Sequence, residues 1–242
     1  MTLHIDLHVH TNLSNDGRST KEKLAEYAAA RGLDAIVLTD HDACALDLPV
    51  RYGNVWLLPG CECSTDAGHI LGLFLDKLPD LASLHANGLA SAADTVSMLK
   101  ECGAVTVLAH PFARKNTRTD APVDCIETAN ARAYFKNSAA NTQAENLAGL
   151  LNLNGTGGSD AHAAKEVGNA YTIIETPDCS LSSLRDALIG GRCKSVLIKN
   201  TPHRLKGYSQ FQKALRSRNP GSIIIGIAYI GYCVLLDIFR RK

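Results

Sequence analysis

Leu3-His4-Ile5-Asp6-Leu7-His8-Val9-His10 is the stretch that decides how this chain is read. Alternate residues of a β-strand point to opposite faces. Leu3, Ile5, Leu7 and Val9 therefore make one apolar face, and His4, Asp6, His8 and His10 make the other. A solvated strand face favours Lys, Thr and Glu. Imidazole and carboxylate at every second position instead put ring nitrogens on one side, about 7 Å apart at the backbone, close enough to converge on a metal ion.

Downstream, apolar runs of strand length alternate with helical stretches. Ser19-Thr20-Lys21-Glu22 reads as a capping box opening a helix that Gly32 stops. Leu33–Thr39 is continuous in Ala, Ile, Val and Leu, as in a strand buried on both faces. Val55–Leu58, Ile70–Leu75, Val105–Ala109 and Val123–Glu127 read as further strands, with helices at Ala92–Glu101, Asn141–Leu151 and Leu181–Gly190. This alternation predicts an α/β fold with a mainly parallel sheet. No Gly-x-Gly-x-x-Gly follows the first strand, which disfavours a dinucleotide site.

Acids and imidazoles collect where the strands end. Asp40 and His41 follow the second strand, and Glu62 follows Val55–Leu58. His69 precedes the next strand, His110 closes Val105–Ala109, and Asp160 and His162 follow a glycine-rich run. In an α/β barrel, the carboxyl-end rim is where active sites are built. Cys61 and Cys63 flank Glu62, and alternation turns their thiols to the opposite face. His85 and His203 fall in expected loops away from the cluster.

The strings His8-Val9-His10-Thr11, Ser14, Asp16-Gly17, Thr39-Asp40-His41-Asp42, Gly60-Cys61-Glu62, His69-Ile70-Leu71-Gly72, Ala109-His110-Pro111 and Gly158-Ser159-Asp160-Ala161-His162 resemble the PHP (polymerase and histidinol phosphatase) family, in family order, over about residues 3–198. The resemblance implies a distorted (β/α)7 TIM-like barrel and two or three divalent metal ions. By position it places His8, His10, Glu62 and Asp160 on a first metal, and has Glu62 bridge to a second that His69 and His110 complete. Asp16, His41 and His162 would hold a third. Asp40 would orient an imidazole through its distal N–H. Asp6 either does the same or is a satisfied buried acid.

Mixed imidazole and carboxylate ligands suit Zn, Mn or Fe and do not choose among them. Two metals bridged by Glu62 would make hydroxide available near neutral pH for attack on phosphorus. Arg18, Arg114 and Lys115 on the expected rim are candidate phosphate clamps. Glu62, Asp40 and Arg114 are the residues expected to carry the chemistry. Asn130, at a strand end, could bind substrate or fix a loop.

The 242 residues carry a formal charge of +1, which hides an asymmetry. Residues 199–242 hold nine Lys/Arg and one acid, so the remainder has a charge of −7. The organisation read from this is a barrel over 1–198, a basic linker over 199–219 and an apolar segment over 220–242. Gly221–Leu236 is sixteen residues free of charge, shorter than the usual span of about 20 apolar residues. It reads either as a membrane attachment through 220–239 or as a packed helix or strand. The eight Cys form no Cys-x-x-Cys pair, and the N-terminus has no signal-peptide pattern. Reduced thiols in a cytoplasmic protein, attached to the cytosolic face of a membrane by the tail, are the expectation.

The function expected from these readings is a metal-dependent phosphoric-ester hydrolase acting on a small phosphorylated metabolite or nucleotide. Two alternatives stand beside it: a nuclease trimming DNA or RNA ends, and a non-catalytic, metal-stabilised, membrane-tethered scaffold. The acidic body weighs against tight polynucleotide binding, and the complete ligand set weighs against the scaffold.

Overall fold

The computed structural model describes residues 1–86, 88–113 and 118–239. Arg114 and Lys115, expected as phosphate clamps, lie outside the described residues, as do Arg240–Lys242. Ten strands form one mixed sheet: β1 (Thr2–Val9), β2 (Ala35–Leu38), β3 (Val50–Tyr52), β4 (Val55–Thr65), β5 (Gly68–Leu73), β6 (Val105–Leu108), β7 (Cys125–Asn130), β8 (Asn154–Gly158), β9 (Ala170–Glu175) and β10 (Cys193–Leu197). Among the described residues, seven α-helices accompany them: α1 (Lys21–Ala30), α2 (Leu81–Leu84), α3 (Ala92–Glu101), α4 (Ala140–Leu151), α5 (Leu181–Ile189), α6 (His203–Ser217) and α7 (Pro220–Phe239).

The sheet curls into a nearly closed barrel. Its order is β10-β9-β1-β2-β4-β5-β6-β7-β8, with β3 paired to β4. Just past β8 the chain returns to β1: His10 N–H donates to the Ala161 carbonyl at 2.8 Å, and Ala161 N–H donates to that of His8 at 3.3 Å. The ring is thus β1, β2, β4, β5, β6, β7 and β8, while β9 runs antiparallel along the first half of β1. Gly158 makes the closure possible, since a Cβ there would sit 2.4 Å from the Cβ of His8. Within the ring, pairing is parallel except where β5 turns back between β4 and β6.

Strand β2 is buried on both faces, as its sequence predicts. Ala35 and Val37 join one apolar cluster with Leu7, Leu58, Leu71 and Val107. Ile36 and Leu38 join another with Leu24 and Ala28 of α1. Leu24 is fully buried, so truncating it to Ala would cost about 2–5 kcal/mol. Cys61 and Cys63 pack in a third cluster behind Glu62, with Ile70, Val96 and Leu99.

Three local expectations are corrected. Thr20, not Ser19, caps α1 by accepting from Lys23 N–H, because the Ser19 hydroxyl accepts from Ala164 N–H at 3.0 Å. Strand β4 does not stop at Leu58. It continues through Pro59 and Gly60 as β5 pairs with it, so Glu62 lies inside a strand opposite Leu71. The stretch read as a basic linker is mostly the helix α6.

Helices α6 and α7 form a hairpin. Gly207 brings them together: a Cβ there would lie 3.1 Å from the Cα of Ile230. Asp237 near the end of α7 accepts from the N–H groups of His203 at 2.7 Å and Arg204 at 3.0 Å. A carboxylate thereby meets the open N–H groups at the start of α6, where the helix dipole favours it. The hairpin is tied to the barrel as well. The Arg216 guanidinium donates to the carbonyls of Ser14, Asn12 and Gly17, and Arg132 donates to Ser209 Oγ at 2.9 Å.

Candidate metal centre

Glu62 stands at the middle of the site, fully buried. Its Oε1 lies 2.5 Å from His69 Nδ1 and 3.1 Å from His110 Nε2. Its Oε2 lies 2.8 Å from His41 Nδ1, 3.3 Å from His10 Nε2 and 3.4 Å from His8 Nε2. Asp160 Oδ1 is 3.4 Å from His10 Nε2 and 3.8 Å from His8 Nε2. On the far side, Asp16 Oδ2 is 3.4 Å from His162 Nε2 and 3.9 Å from His41 Nε2. The nine positions named from sequence as ligands therefore occupy one region.

Glu62 Oε2 and Asp16 Oδ1 are buried without a hydrogen-bond partner. A buried carboxylate oxygen in that condition costs free energy unless a cation compensates it. The donor atoms fall into compact sets: His8, His10 and Glu62; His41, Glu62 and His69; His8, His110 and Asp160; His10, His41 and His162. Within each set they lie within 4.8 Å of one another. These residues fit divalent ions in number, type and spacing. The sets share members differently from the sequence expectation, with His41 adjoining Glu62 and His69, and His110 adjoining His8 and Asp160.

Electrostatics follows from this crowding. Burial opposes charge on Glu62, but the imidazoles of His69, His41 and His8 outweigh it and hold the carboxyl well below its usual range. For His10, burial and the neighbouring His162 and His41 rings press the ring well below its usual value. His110 and Asp160 adopt positive φ values of 29° and 53°. Such backbone in a non-glycine residue costs about 1–3 kcal/mol and persists only where surroundings enforce it.

Sequence reasoning missed the main orienting group. Glu127 on β7 accepts from His8 Nδ1–H at 3.0 Å, from His110 N–H at 2.9 Å and from Asn130 Nδ2 at 3.0 Å. The available signal was a lone acid inside an apolar strand, two residues past Cys125. Asp40, expected to carry chemistry, instead holds the turn after β1. It accepts from Thr11 N–H at 2.8 Å, Thr11 Oγ1 at 2.8 Å and Ser14 Oγ at 2.6 Å. It reaches an imidazole only through Ser14, whose Oγ lies 3.2 Å from His10 Nδ1. Asp6 is the satisfied buried acid: it accepts from the N–H groups of Ser159 and Gly168, each at 2.8 Å. His4 stands outside the cluster, with its ring centroid 5.3 Å from that of Tyr171. Arg18 stacks over Tyr208 at 5.2 Å. Asn130 donates to Glu127 and, at 3.4 Å, to Asp160.

The site opens into a cleft of about 1830 Å³. One wall is the histidine and carboxylate cluster, through Asp16, His41, His69, His110, Asp160 and His162. The opposite wall comes from Lys136 and the C-terminal hairpin, through Lys206, Lys213, Ile225 and Tyr229. The tail is thus part of the cleft rather than a separate appendage.

A PHP domain model matches residues 6–67, and a PHP-associated model matches residues 138–193. Over these two stretches the chain is similar to the PHP family. The uncharacterized protein MJ0417 of Methanocaldococcus jannaschii is 27% identical over 190 residues, covering 72% of this chain and 73% of that protein. Phosphoribosyl 1,2-cyclic phosphate 1,2-diphosphodiesterase of Eggerthella lenta is 38% identical over 104 residues, covering 35% of this chain and 39% of the enzyme. Among solved structures, a two-domain protein from Bacteroides vulgatus containing a predicted PHP-like metal-dependent phosphoesterase superposes with a TM-score of 0.60 at 22% identity, over 88% of this chain and 70% of that one. The lesion-specific endonuclease Q of Pyrococcus furiosus gives a TM-score of 0.56 at 18% identity, over 81% and 58%. At these identities the likeness is one of fold, the distorted barrel of PHP proteins.

Proposed function

We propose that this protein is a metal-dependent phosphoesterase that hydrolyses a phosphate ester of a small phosphorylated metabolite or nucleotide. The observation that carries the reading is Glu62: a buried carboxylate surrounded by five imidazoles, with one oxygen left without a hydrogen bond. His8, His10, Glu62 and Asp160 would hold one ion, Glu62 with His69 and His110 a second, and Asp16, His41 and His162 a third. When bound, two or three Zn, Mn or Fe ions would supply an acidified water and charge neutralisation at the phosphoryl oxygens.

The chain's own residues prepare that site. Glu127 fixes the ring of His8, and Asp40 fixes that of His10 through Ser14. The Asp160 carbonyl, 2.9 Å from His162 Nδ1, leaves Nε2 of that ring facing Asp16. Each contact selects the tautomer that turns a bare nitrogen inward. The test is a screen of purified full-length protein, supplemented with Mn²⁺ or Zn²⁺, against nucleoside and sugar phosphates, cyclic phosphodiesters and short oligonucleotides. Release of inorganic phosphate from a small ester is expected. Loss of activity with a chelator and its return with metal would link turnover to the ions.

The fold likeness to an endonuclease and the lysines of the cleft favour a nuclease as the second reading. Cleavage of oligonucleotides with no turnover of small esters would establish it in place of the first. Full metal loading without turnover on any of them would leave the non-catalytic scaffold. We also place the protein in the cytoplasm, with the exposed face of α7 against the cytosolic surface of a membrane. The pairing of Asp237 with the start of α6 supports lying on that surface over crossing the bilayer. A spanning α7 would drag Arg204 and Lys206 into the hydrocarbon or break the hairpin.

A further inference from the structure

The reading above gives the ions their ligands and leaves the substrate's charge without a protein partner. Lys206 is placed to be one. It lines the cleft that the metal ligands Asp16, His41, His69 and Asp160 also line, together with Lys136 and Lys213. No ion pair joins any of these three lysines to a carboxylate among the described residues, although carboxylates take up Lys23, Lys100 and four arginines elsewhere.

The position of Lys206 is built rather than incidental. Its ammonium sits over the Phe135 ring, 4.5 Å from the centroid, and the neighbouring Gly207 is pressed against α7 at Ile230 and Cys233. One helix turn on, Ser209 receives the Arg132 guanidinium, which is itself held by Glu166 at 2.6 and 2.8 Å. Arg132 is thereby spent on structure, while Lys206 keeps its three donors for the cleft. A half-buried ammonium beside other cations is an expensive arrangement. A phosphate dianion seated between it and the ions would offset that cost through charge-assisted hydrogen bonds.

We propose that Lys206 is a phosphate-binding residue of this site, so that the C-terminal hairpin supplies part of the substrate-binding surface. Lys136 and Lys213 extend the same positive wall. The proposal rests on the phosphoesterase reading and is tested separately from it.

The test is calorimetric titration of metal-loaded, full-length protein with inorganic phosphate, on the natural sequence and on Lys206→Gln and Lys206→Arg. Elemental analysis of each accompanies it. Lys206→Gln is expected to weaken phosphate binding by about tenfold or more with metal content unchanged, and Lys206→Arg to restore most of it. In turnover, the loss should appear in KM before kcat. Equal phosphate affinity in Lys206→Gln and the natural protein, or no phosphate binding by the natural protein, overturns the proposal. Equal affinity with ester hydrolysis intact overturns this inference alone. Absence of ester hydrolysis in the natural protein, with phosphate binding dependent on Lys206, overturns only the phosphoesterase reading.

Discussion

His8 Nε2 and His10 Nε2 face each other at 3.1 Å, and neither atom is set up to carry a proton. His8 donates from Nδ1 to Glu127. Ser14 spends its hydroxyl proton on Asp40 at 2.6 Å, so its oxygen accepts from His10 Nδ1–H. Two lone pairs aimed at one another repel. Two ligands on one tetrahedral ion, with metal–nitrogen bonds of about 2.0–2.1 Å, stand about 3.3 Å apart. The pair is therefore arranged for a cation. Removing Glu127 should release the first ring: Glu127→Ala is expected to lower metal affinity by about 10–100-fold. Competition with a graded chelator measures it, and an unchanged affinity would remove Glu127 from this role.

Glu62 adjoins the imidazoles of His8, His10, His41, His69 and His110. Glu62→Gln replaces a charged oxygen with a neutral amide between His69 and His110. Metal content by elemental analysis should fall, and turnover should drop by more than about 10²-fold. The apolar clusters do not contain Glu62, so circular dichroism should stay native. Activity within a few-fold of the natural protein, with full metal content, would contradict the bridging assignment.

Much of this site was legible because its residues sit at strand ends, where alternation alone decides which face they take. Asp6, His8 and His10 are the clearest case, and the thiols of Cys61 and Cys63 turn away from Glu62 for the same reason. Glu127 was not legible. One acid in Cys125–Asn130 looks like any strand residue until the barrel closes β7 and β8 against His8. Asp40 was misjudged because its neighbour His41 joins the cluster around Glu62, whereas its own oxygens are consumed by the 11–14 turn. The role of α6 was hidden for a different reason. A basic helix has the composition of a solvated surface, and only Gly207, Ser209 and Ala214 hint that one face is buried. Where such a helix docks is a tertiary fact.

Lys206 also sets a pH dependence. Burial, then the charges of Lys136 and Arg132, push its ammonium down to about 8, with Asp160 and Cys233 acting weakly in the opposite sense. Its value in the unfolded chain is about 10.4, so the folded state disfavours the charged form. The group therefore costs stability below about pH 8, and the cost fades as pH rises from 8 toward 10.4. Lys206→Met should raise Tm at pH 7 and lose that advantage by pH 10. Phosphate binding should weaken in the natural protein as pH passes 8. A Tm difference that is the same at both pH values would rule out a depressed Lys206.

The first half of α7 lines the cleft through Ser222, Ile225, Gly226 and Tyr229, so removing α7 is expected to reach the candidate site. A chain ending at Asn219 loses the partner of Phe211 and Ala214, which face α7 at Gly226, where an added Cβ would lie 3.1–3.5 Å from them. It also loses Ile225 and Tyr229 from the cleft wall. The proposed metal ligands all lie before residue 163, so metal content should be retained. The expected result is a lower Tm and a raised KM with metal content retained. Kinetics identical to those of the full chain would show that α7 is a passive appendage.

The proposed membrane attachment rests on the outer face of α7. Ile224, Ile227, Tyr232, Leu235 and Phe239 are exposed on a helix of mean hydropathy 2.1 over its apolar window. An exposed apolar surface of this kind marks an interaction site. Arg216 and Arg218 stand just before it, and each cation near an anionic surface is worth about 1 kcal/mol. Arg216 is engaged with the 12–17 loop, so Arg218 is the freer of the two. An interfacial helix seats one face among the headgroups while the other stays on its protein, which the α6–α7 hairpin permits and a bilayer crossing does not. Full-length protein should therefore float with vesicles containing anionic lipid, and high salt should weaken the attachment. Ile224→Asp with Ile227→Asp should leave the protein in the soluble fraction with its metal content intact. If the double variant floats as well as the natural protein, α7 does not hold the membrane. If the natural protein stays soluble and sediments as a dimer that the double variant splits, the apolar face belongs to a second copy of the chain.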